Sequence, residues 1–254
     1  MTRPPKANRT PVANLCFVLL AFLAAANSPH ARADEPIVSP KATVNSAQTP
    51  ATAASKTAQL DASAGEFRPL IQDWEAASFG GDGAIEFKKI EKAGDAKHED
   101  QLIEFAPGDP LTGIRWTGPL PRENYELRLQ ARRVEGFDFF VAVTFPVGQE
   151  HCSFVLGGWG GGILGISSIN GDDAANNQTT QYKDFKNGQW YQVRIRVDEK
   201  AIMCWIDDEE WVNVERGRNS FDIRIEMDPC LPLGLANFQC NSEIKSVQLR
   251  ALKP

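Results

Sequence analysis

The sequence predicts an all-β fold, a two-sheet antiparallel sandwich of jelly-roll type, and three observations predict it. Apolar residues recur with a period of two along almost the whole region after residue 65. Clusters rich in Gly, Pro, Asn and Asp separate the alternating runs. No stretch sustains the helical period of about 3.6 together with helix caps.

Ahead of this region the chain of 254 residues opens with Arg3, Lys6 and Arg9, followed by an uncharged apolar run from Val12 to Ala26. The run is short for a membrane span and leads to Ala31-Arg32-Ala33, a small-residue site of the kind a signal peptidase cuts. Residues 1–33 are therefore predicted to be a signal peptide cleaved after Ala33, giving a secreted, periplasmic or cell-surface protein with no membrane span after cleavage. Cys16 follows Leu15, not a small residue, which argues against a lipid anchor. Residues 34–65 are Ala, Thr, Ser and Pro with few large apolar groups, too little to offset the entropy of ordering, and are predicted to be a disordered tether. Residues 66–254 remain, enough for one sandwich domain with a substantial core.

The elements follow in order. FRPLIQDWEAASF (67–79) is the one weak helical candidate, or a lead-in. AIEFKKI (84–90), QLIEFA (101–106) and GIRW (113–116) read as strands, with turns at GDGA and APGDP. In YELRLQARR, Tyr125, Leu127, Leu129 and Ala131 alternate with Glu126, Arg128, Gln130 and Arg132, the pattern of a half-buried antiparallel strand. FDFFVAVTF repeats it, with Phe137, Phe139, Val141, Val143 and Phe145 on one face and Asp138, Phe140, Ala142 and Thr144 on the other. CSFVLGGW, GGILGISSI, WYQVRIRVD, AIMCWID, EWVNVE, FDIRIEM, LGLANFQ and EIKSVQLRAL complete the set, punctuated by INGDD, KNGQ, DDEE and DPCLP.

Composition excludes several functions. Cleavage after Ala33 removes four bases and no acid from a chain with 27 bases and 33 acids, leaving a net charge near −10. Such a balance disfavours nucleic acid and anionic membrane surfaces, which are held by clustered Lys and Arg. Cys152, Cys204, Cys230 and Cys240 are an even set in an exported chain, compatible with one or two disulfides, and the three pairings stay open. No CxxC pair with a His partner is present, so no zinc site is expected. His98 and His151 are the two imidazoles left after cleavage, and His151 and Cys152 should point to opposite faces of one strand, which argues against a catalytic pair.

The stretch GGWGGGILGISSINGDDAANNQTT (157–180) draws attention. It lacks the Lys and Ser or Thr of a phosphate loop, and a strand follows it where a helix would be needed. Asn170, Asp172, Asp173, Asn176 and Asn177 offer hard oxygen ligands, so a calcium loop is the more credible alternative, with Asn170, Asp172 and Asp173 as weak candidates. The preferred reading is a tight Asn-Gly turn whose polar side chains bond local backbone, with no cofactor. Trp159, set among glycines, is the best candidate for a sugar platform; an indole in the core would look the same in sequence. The cluster Asp207, Asp208, Glu209, Glu210 is read as a solvated hairpin turn.

NGQWYQVRIRVDEKAIMCWIDDEEWVNVE (187–215) has the order turn, Gly-x-Trp-Tyr, alternating strand, hairpin, return strand, and resembles the concanavalin A-like lectin/glucanase superfamily, including its laminin G-like members. Taken with NYELRLQARR and with the closing Gly-Leu strand and Leu-Arg-x-Leu strand end, it is similar to the 3-keto-disaccharide hydrolase-like domain of secreted bacterial proteins. The chain departs from that family's Gly-Asn-Ser-Gly stretch, carrying Glu135-Gly136-Phe137-Asp138-Phe139-Phe140 in its place, and it has no ExDxxE strand of the laminarinase type. The resemblance implies a carbohydrate ligand on a sheet face and its rim loops.

The expected function is an exported carbohydrate-binding domain, with Trp159, Asn170, Asp172, Asn176, Asn177 and Gln178 at the site. The alternatives are a glycoside hydrolase of the 3-keto-disaccharide type, using Asp138 with Asp172 or Asp173, and a laminin G-like module for a protein partner.

Overall fold

The computed structural model describes residues 65–91 and 99–253. Residues 1–64, expected to hold a signal peptide and a tether, and His98 lie outside the described residues. In chain order the strands are β1 (Arg68–Pro69), β2 (Trp74–Ala77), β3 (Ile85–Glu91), β4 (Glu99–Phe105), β5 (Leu111–Trp116), β6 (Tyr125–Glu135), β7 (Val141–Val147) and β8 (Glu150–Gly157). They continue as β9 (Ile163–Ser167), β10 (Gln181–Tyr182), β11 (Tyr191–Val197), β12 (Ala201–Ile206), β13 (Glu209–Glu215), β14 (Gly234–Phe238) and β15 (Asn241–Ala251).

Two antiparallel sheets result. The first runs β13-β12-β11-β6-β15-β4-β3, with β1 also paired to β15; the second runs β10-β9-β8-β7-β14-β5-β2. In the first sheet the alternation seen in sequence becomes geometry. Tyr125, Leu127, Leu129 and Ala131 of β6 are buried against the second sheet, and Tyr191, Val193, Ile195 and Val197 of β11 do the same. The polar partners in between line the outer face.

The second sheet is different. Every residue of β7 is buried, because a second apolar cluster covers the sheet's outer face. That cluster unites Leu111, Ala142, Val155 and Ala236 of the strands with Ala174, Met227 and Cys230 of the connecting segments. A strand covered on both faces shows a near-continuous apolar run and no simple alternation.

Four expectations are corrected. FRPLIQDWEAASF forms no helix; its ends become β1 and β2, which find ready partners in β15 and β5, and the Trp74 indole N–H donates to the Leu70 carbonyl at 3.0 Å. FDIRIEM is not a strand. Phe221 makes a single bridge to Ile169, and Ile225–Cys230 winds as a 3-10 segment that buries Met227 and Cys230 on the second sheet.

In FDFFVAVTF the strand begins only at Val141. Phe137 is 67 % exposed while Phe140 is fully buried, because Gly136 turns at φ 107° and the Asp138 carboxylate accepts the Phe139 N–H at 2.7 Å. The four cysteines are free, buried thiols rather than disulfides. They serve as small apolar core groups, and burial pushes their ionisation up, for Cys230 and Cys240 to about 12.

Candidate functional site

The outer face of the second sheet is floored by small residues. In register across the strands lie Gly165, Val155, Ala142, Ala236 and Gly113. A neighbouring row holds Ser167, Ser153 and Thr144. Segment 168–180 roofs β9, where a Cβ on Gly165 would lie 2.9 Å from the Thr179 carbonyl oxygen, and Cys230 closes over Gly234. Between these two roofs a cavity of about 250 Å³ stays open.

Its walls are mostly apolar: Pro110, Leu111, Phe139, Phe238, Met227 and Trp159 surround it, with Ala142 and Val155 of the sheet. The Phe139 and Phe238 rings lie 5.6 Å apart. The polar groups are few: Asp138, Ser153, Ser167, Arg224 and Glu226. Ser153 Oγ is paired with Thr144 Oγ1 at 2.8 Å. Ser167 is 2 % exposed, yet its Oγ has no hydrogen-bond partner. A buried hydroxyl left unpaired on a cavity floor is costly unless something occupies the cavity and bonds to it.

Trp159 sits in the turn between β8 and β9. The turn runs through the left-handed region at Trp159 (φ 50°), Gly160 (φ 86°) and Gly161 (φ 106°). Gly161 has no alternative, since a Cβ there would come within 2.5 Å of the Phe137 carbonyl oxygen. The Asp138 carboxylate accepts the Gly160 N–H at 3.1 Å, which ties this turn to the β6–β7 loop. That loop is held in turn by Arg133, 6 % exposed. Its guanidinium donates to the Asp138 carbonyl (3.0 Å), Asn187 Oδ1 (2.6 Å) and the Phe185 carbonyl (2.6 Å). The tie leaves the Trp159 indole 43 % exposed at the cavity.

Arg224 and Glu226 also line the cavity, where the sequence pattern predicts a strand. Arg224 donates to Glu226 at 2.9 Å and to Asp173 at 3.2 Å. The bond from Arg224 holds the Glu226 carboxyl below the usual range, so it stays ionised near neutrality. The signal that could have marked them is Pro229 beside Asp228, which does not suit a central strand continuing from Phe221.

Of the residues expected at the site, Asp138 and Trp159 line the cavity together. Asn170 and Gly171 form the two-residue turn between Ile169 and Asp172, both at positive φ, and Asn170 Oδ1 accepts the Ser220 N–H at 2.9 Å. Asp172 is exposed. Asp173 bonds the Ala175 N–H, Asn176 Nδ2 and Arg224. Asn177 donates to the carbonyls of Ile166, Asp172 and Asp173 and accepts from Thr179. Gln178 lines a separate hollow beside Trp211 and Asn219. The polar side chains of this loop are therefore spent largely on shaping it. Among the described residues no group of three or more His, Cys, Asp or Glu is arranged to hold a metal ion.

The family model for the 3-keto-alpha-glucoside-1,2-lyase-like domain matches residues 70–250. The chain belongs to this family. The match spans both sheets and every residue lining the cavity. Among solved structures, the family domain described above is similar to a carbohydrate esterase from the Shiga toxin-encoding bacteriophage phi24B, at 10 % identity and a TM-score of 0.46 over 73 % of this chain and 100 % of that one. It is also similar to a carbohydrate-binding module from Bacillus subtilis, at 8 % identity and a TM-score of 0.41 over 73 % and 100 %. Domain 4 of an extracellular arabinanase from Geobacillus stearothermophilus, solved with arabinotriose, gives 16 % identity and a TM-score of 0.41 over 71 % and 83 %. No curated protein matches the chain. Among the described residues no helix is long and apolar enough to cross a membrane.

Proposed function

We propose that the cavity on the second sheet binds one sugar ring of an extracellular glycan. The observation that carries this reading is the pairing of a half-exposed Trp159 at an apolar cavity with an unpaired Ser167 hydroxyl on its floor. A pyranose presents both a C–H face, suited to an indole, and hydroxyls, suited to Ser167, Asp138 and Arg224. At about 250 Å³ the cavity falls just below the roughly 300–1,000 Å³ that hold drug-sized ligands, which limits the occupant to about a monosaccharide unit.

The test is a glycan array and titration calorimetry with the full chain and its Trp159→Ala variant. Saturable binding that weakens at least about tenfold in the variant is expected; equal binding by both proteins sinks the proposal.

A second reading, cleavage of a glycoside such as an oxidised glucoside, is favoured by one observation: Asp138 and Glu226 line the same cavity. In that reading the Asp138 carboxylate takes the proton from the sugar carbon between the oxidised carbon and the anomeric carbon, the glycosidic C–O bond breaks as a carbon–carbon double bond forms in the ring, and the departing oxygen takes a proton from water. Release of an unsaturated sugar from a 3-keto disaccharide by the parent protein, lost in Asp138→Asn, would support this reading, whereas a pure binding domain shows no turnover to lose.

A further inference from the structure

The outer face of the first sheet holds a block of arginines whose arrangement the cavity does not explain. Strand register sets Trp205, Arg194, Arg128 and Gln248 side by side in one row across β12, β11, β6 and β15. The adjacent row holds Arg196, Glu126 and Arg250. Glu126 is 3 % exposed and accepts Arg250 at 2.8 Å, and Arg196 has Asp198 at 3.5 Å.

Among the described residues Arg194 and Arg128 have no carboxylate at hydrogen-bond distance. Among the described residues Arg194 has Glu126 at 3.9 Å, and the side chain of Arg128 bonds Gln248 Oε1, at 2.6 and 2.8 Å. Like charges set directly opposite each other across strands are destabilising. Both guanidiniums are nonetheless held in place by rings: Arg194 lies 3.7 Å from the Trp205 centroid and Arg128 3.8 Å from that of Phe67. Stacking on a ring face leaves the N–H edge of a guanidinium free to donate. The burial of Arg128 and the positive charge of Arg250 beside it act against its cation, and Glu126 offsets them in part, so an arriving anion would relieve the remainder.

Between them the surface forms a hollow of about 260 Å³, which Gln130, Gln192 and the turn residue Asp208 also line. Amides and a carboxylate around a pair of guanidiniums match a ligand carrying one carboxylate and several hydroxyls. We propose that this hollow is a second saccharide site, selective for a carboxylated sugar of the uronic acid class, with Arg194 and Arg128 on the carboxylate and Trp205 beside the ring. It is independent of the cavity on the opposite sheet. A long polyphosphate or nucleic acid fits less well, because the patch is confined to four strands of a chain with net charge −6.

The experiment is calorimetric titration of the full chain with tetragalacturonate, its methyl ester and inorganic phosphate. Saturable binding of the acid is expected, weakening as salt is raised, with the ester and phosphate at least about tenfold weaker. Arg194→Gln and Arg128→Gln should each weaken the acid about tenfold or more, while Trp159→Ala leaves it unchanged. Should either Gln variant not fold, Arg194→Lys keeps the charge and the stem over Trp205 but loses the fork, and should weaken binding similarly. The proposal is overturned by no saturable binding of the acid, by equal binding of the ester or phosphate, or by full affinity in folded arginine variants. Loss on Trp159→Ala with the arginine variants unaffected would assign the ligand to the cavity instead.

Discussion

The second sheet hides both of its faces, with an intersheet core on one side and the covered cavity on the other, whereas the first sheet hides only one. In β8, Phe154 points into the core between the sheets and its neighbour Val155 into the cavity floor. In β11 and β6, the residues that alternate with the core are Gln192, Arg194, Arg196, Glu126, Arg128 and Gln130, standing on the open face. One sheet therefore offers a ligand a mostly apolar enclosure with a few hydroxyls and charges. The other offers a shallow, charged surface. The difference follows from what covers each face: residues 168–180 and 221–230 fold back over the second sheet, whereas on the arginine rows of the first the Phe67 ring stacks on Arg128 and Arg250.

The comparison breaks most sharply at Phe154 and Val155. Phe154→Ala should cost about 3–5 kcal/mol, because it empties a packed core between two sheets. Val155→Ala, one residue on, should cost only about 1–2 kcal/mol, since its side chain already borders open volume. Urea denaturation of both variants measures the gap. Equal losses would mean that the cavity face is packed as tightly as the core.

Arg133 joins the two faces of the second sheet, standing beside Phe140 and Phe185 of the core ring cluster while fixing the Asp138 loop. Arg133→Ala leaves the Phe185 and Asp138 carbonyls without their donor and should cost about 2–4 kcal/mol. Lys should not restore it, because one ammonium cannot reach three divergent acceptors. Glycan affinity should fall in parallel in the Lys variant, and unchanged affinity would separate the loop from the site.

The buried thiols sharpen the same contrast through pH. Cys152 and Cys204 face the intersheet core, and Cys230 packs under the roof of the cavity. Burial raises each in the folded chain, for Cys230 to about 12, against an unfolded value of about 8.5. Their stabilisation is complete below the unfolded value and is lost as pH rises towards the folded one. Each thiol should remove about 1.4 kcal/mol of stability per pH unit across that window. Urea midpoints followed from pH 7 to 10 measure the slope, and Cys230→Ala should flatten part of it. A midpoint independent of pH would mean that the thiols ionise freely in the fold.

The sequence made the first sheet legible because one of its faces is wet: alternation in YELRLQARR and WYQVRIRVD states which residues point inwards. It made the second sheet less legible for the opposite reason. Val141–Val147 is buried on both faces and apolar apart from Thr144, so period alone cannot say which side meets the core, and FDFFVAVTF reads as one strand from Phe137 although the strand starts at Val141. Asp138 and Trp159 could be picked out by residue type and by glycine context. The cavity could not, because its lining residues Leu111, Ala142 and Phe238 are brought together by pairing β14 with β5 and β7, strands far apart in the chain. Arg224 and Glu226 escaped because FDIRIEM alternates like a strand, while the 3-10 turn that presents them is set by burial of Met227 and Cys230.

The smallest expected change is the most discriminating for Trp159. Its backbone sits at φ 50°, ψ 52°, a left-handed conformation that costs a bulky residue roughly 1 kcal/mol and glycine almost nothing. The indole, 43 % exposed, recovers little by burial. Trp159→Gly should therefore leave stability within about 1 kcal/mol of the parent, or raise it slightly, while Trp159→Ala keeps the backbone cost and loses the ring. If both variants fold as well as the parent and both lose the glycan, the tryptophan is retained for its exposed face and not for the fold. Should Trp159→Gly instead lose several kcal/mol, the ring belongs to the packing of the second sheet, and the contrast between an enclosed binding face and an open charged one would have to be redrawn.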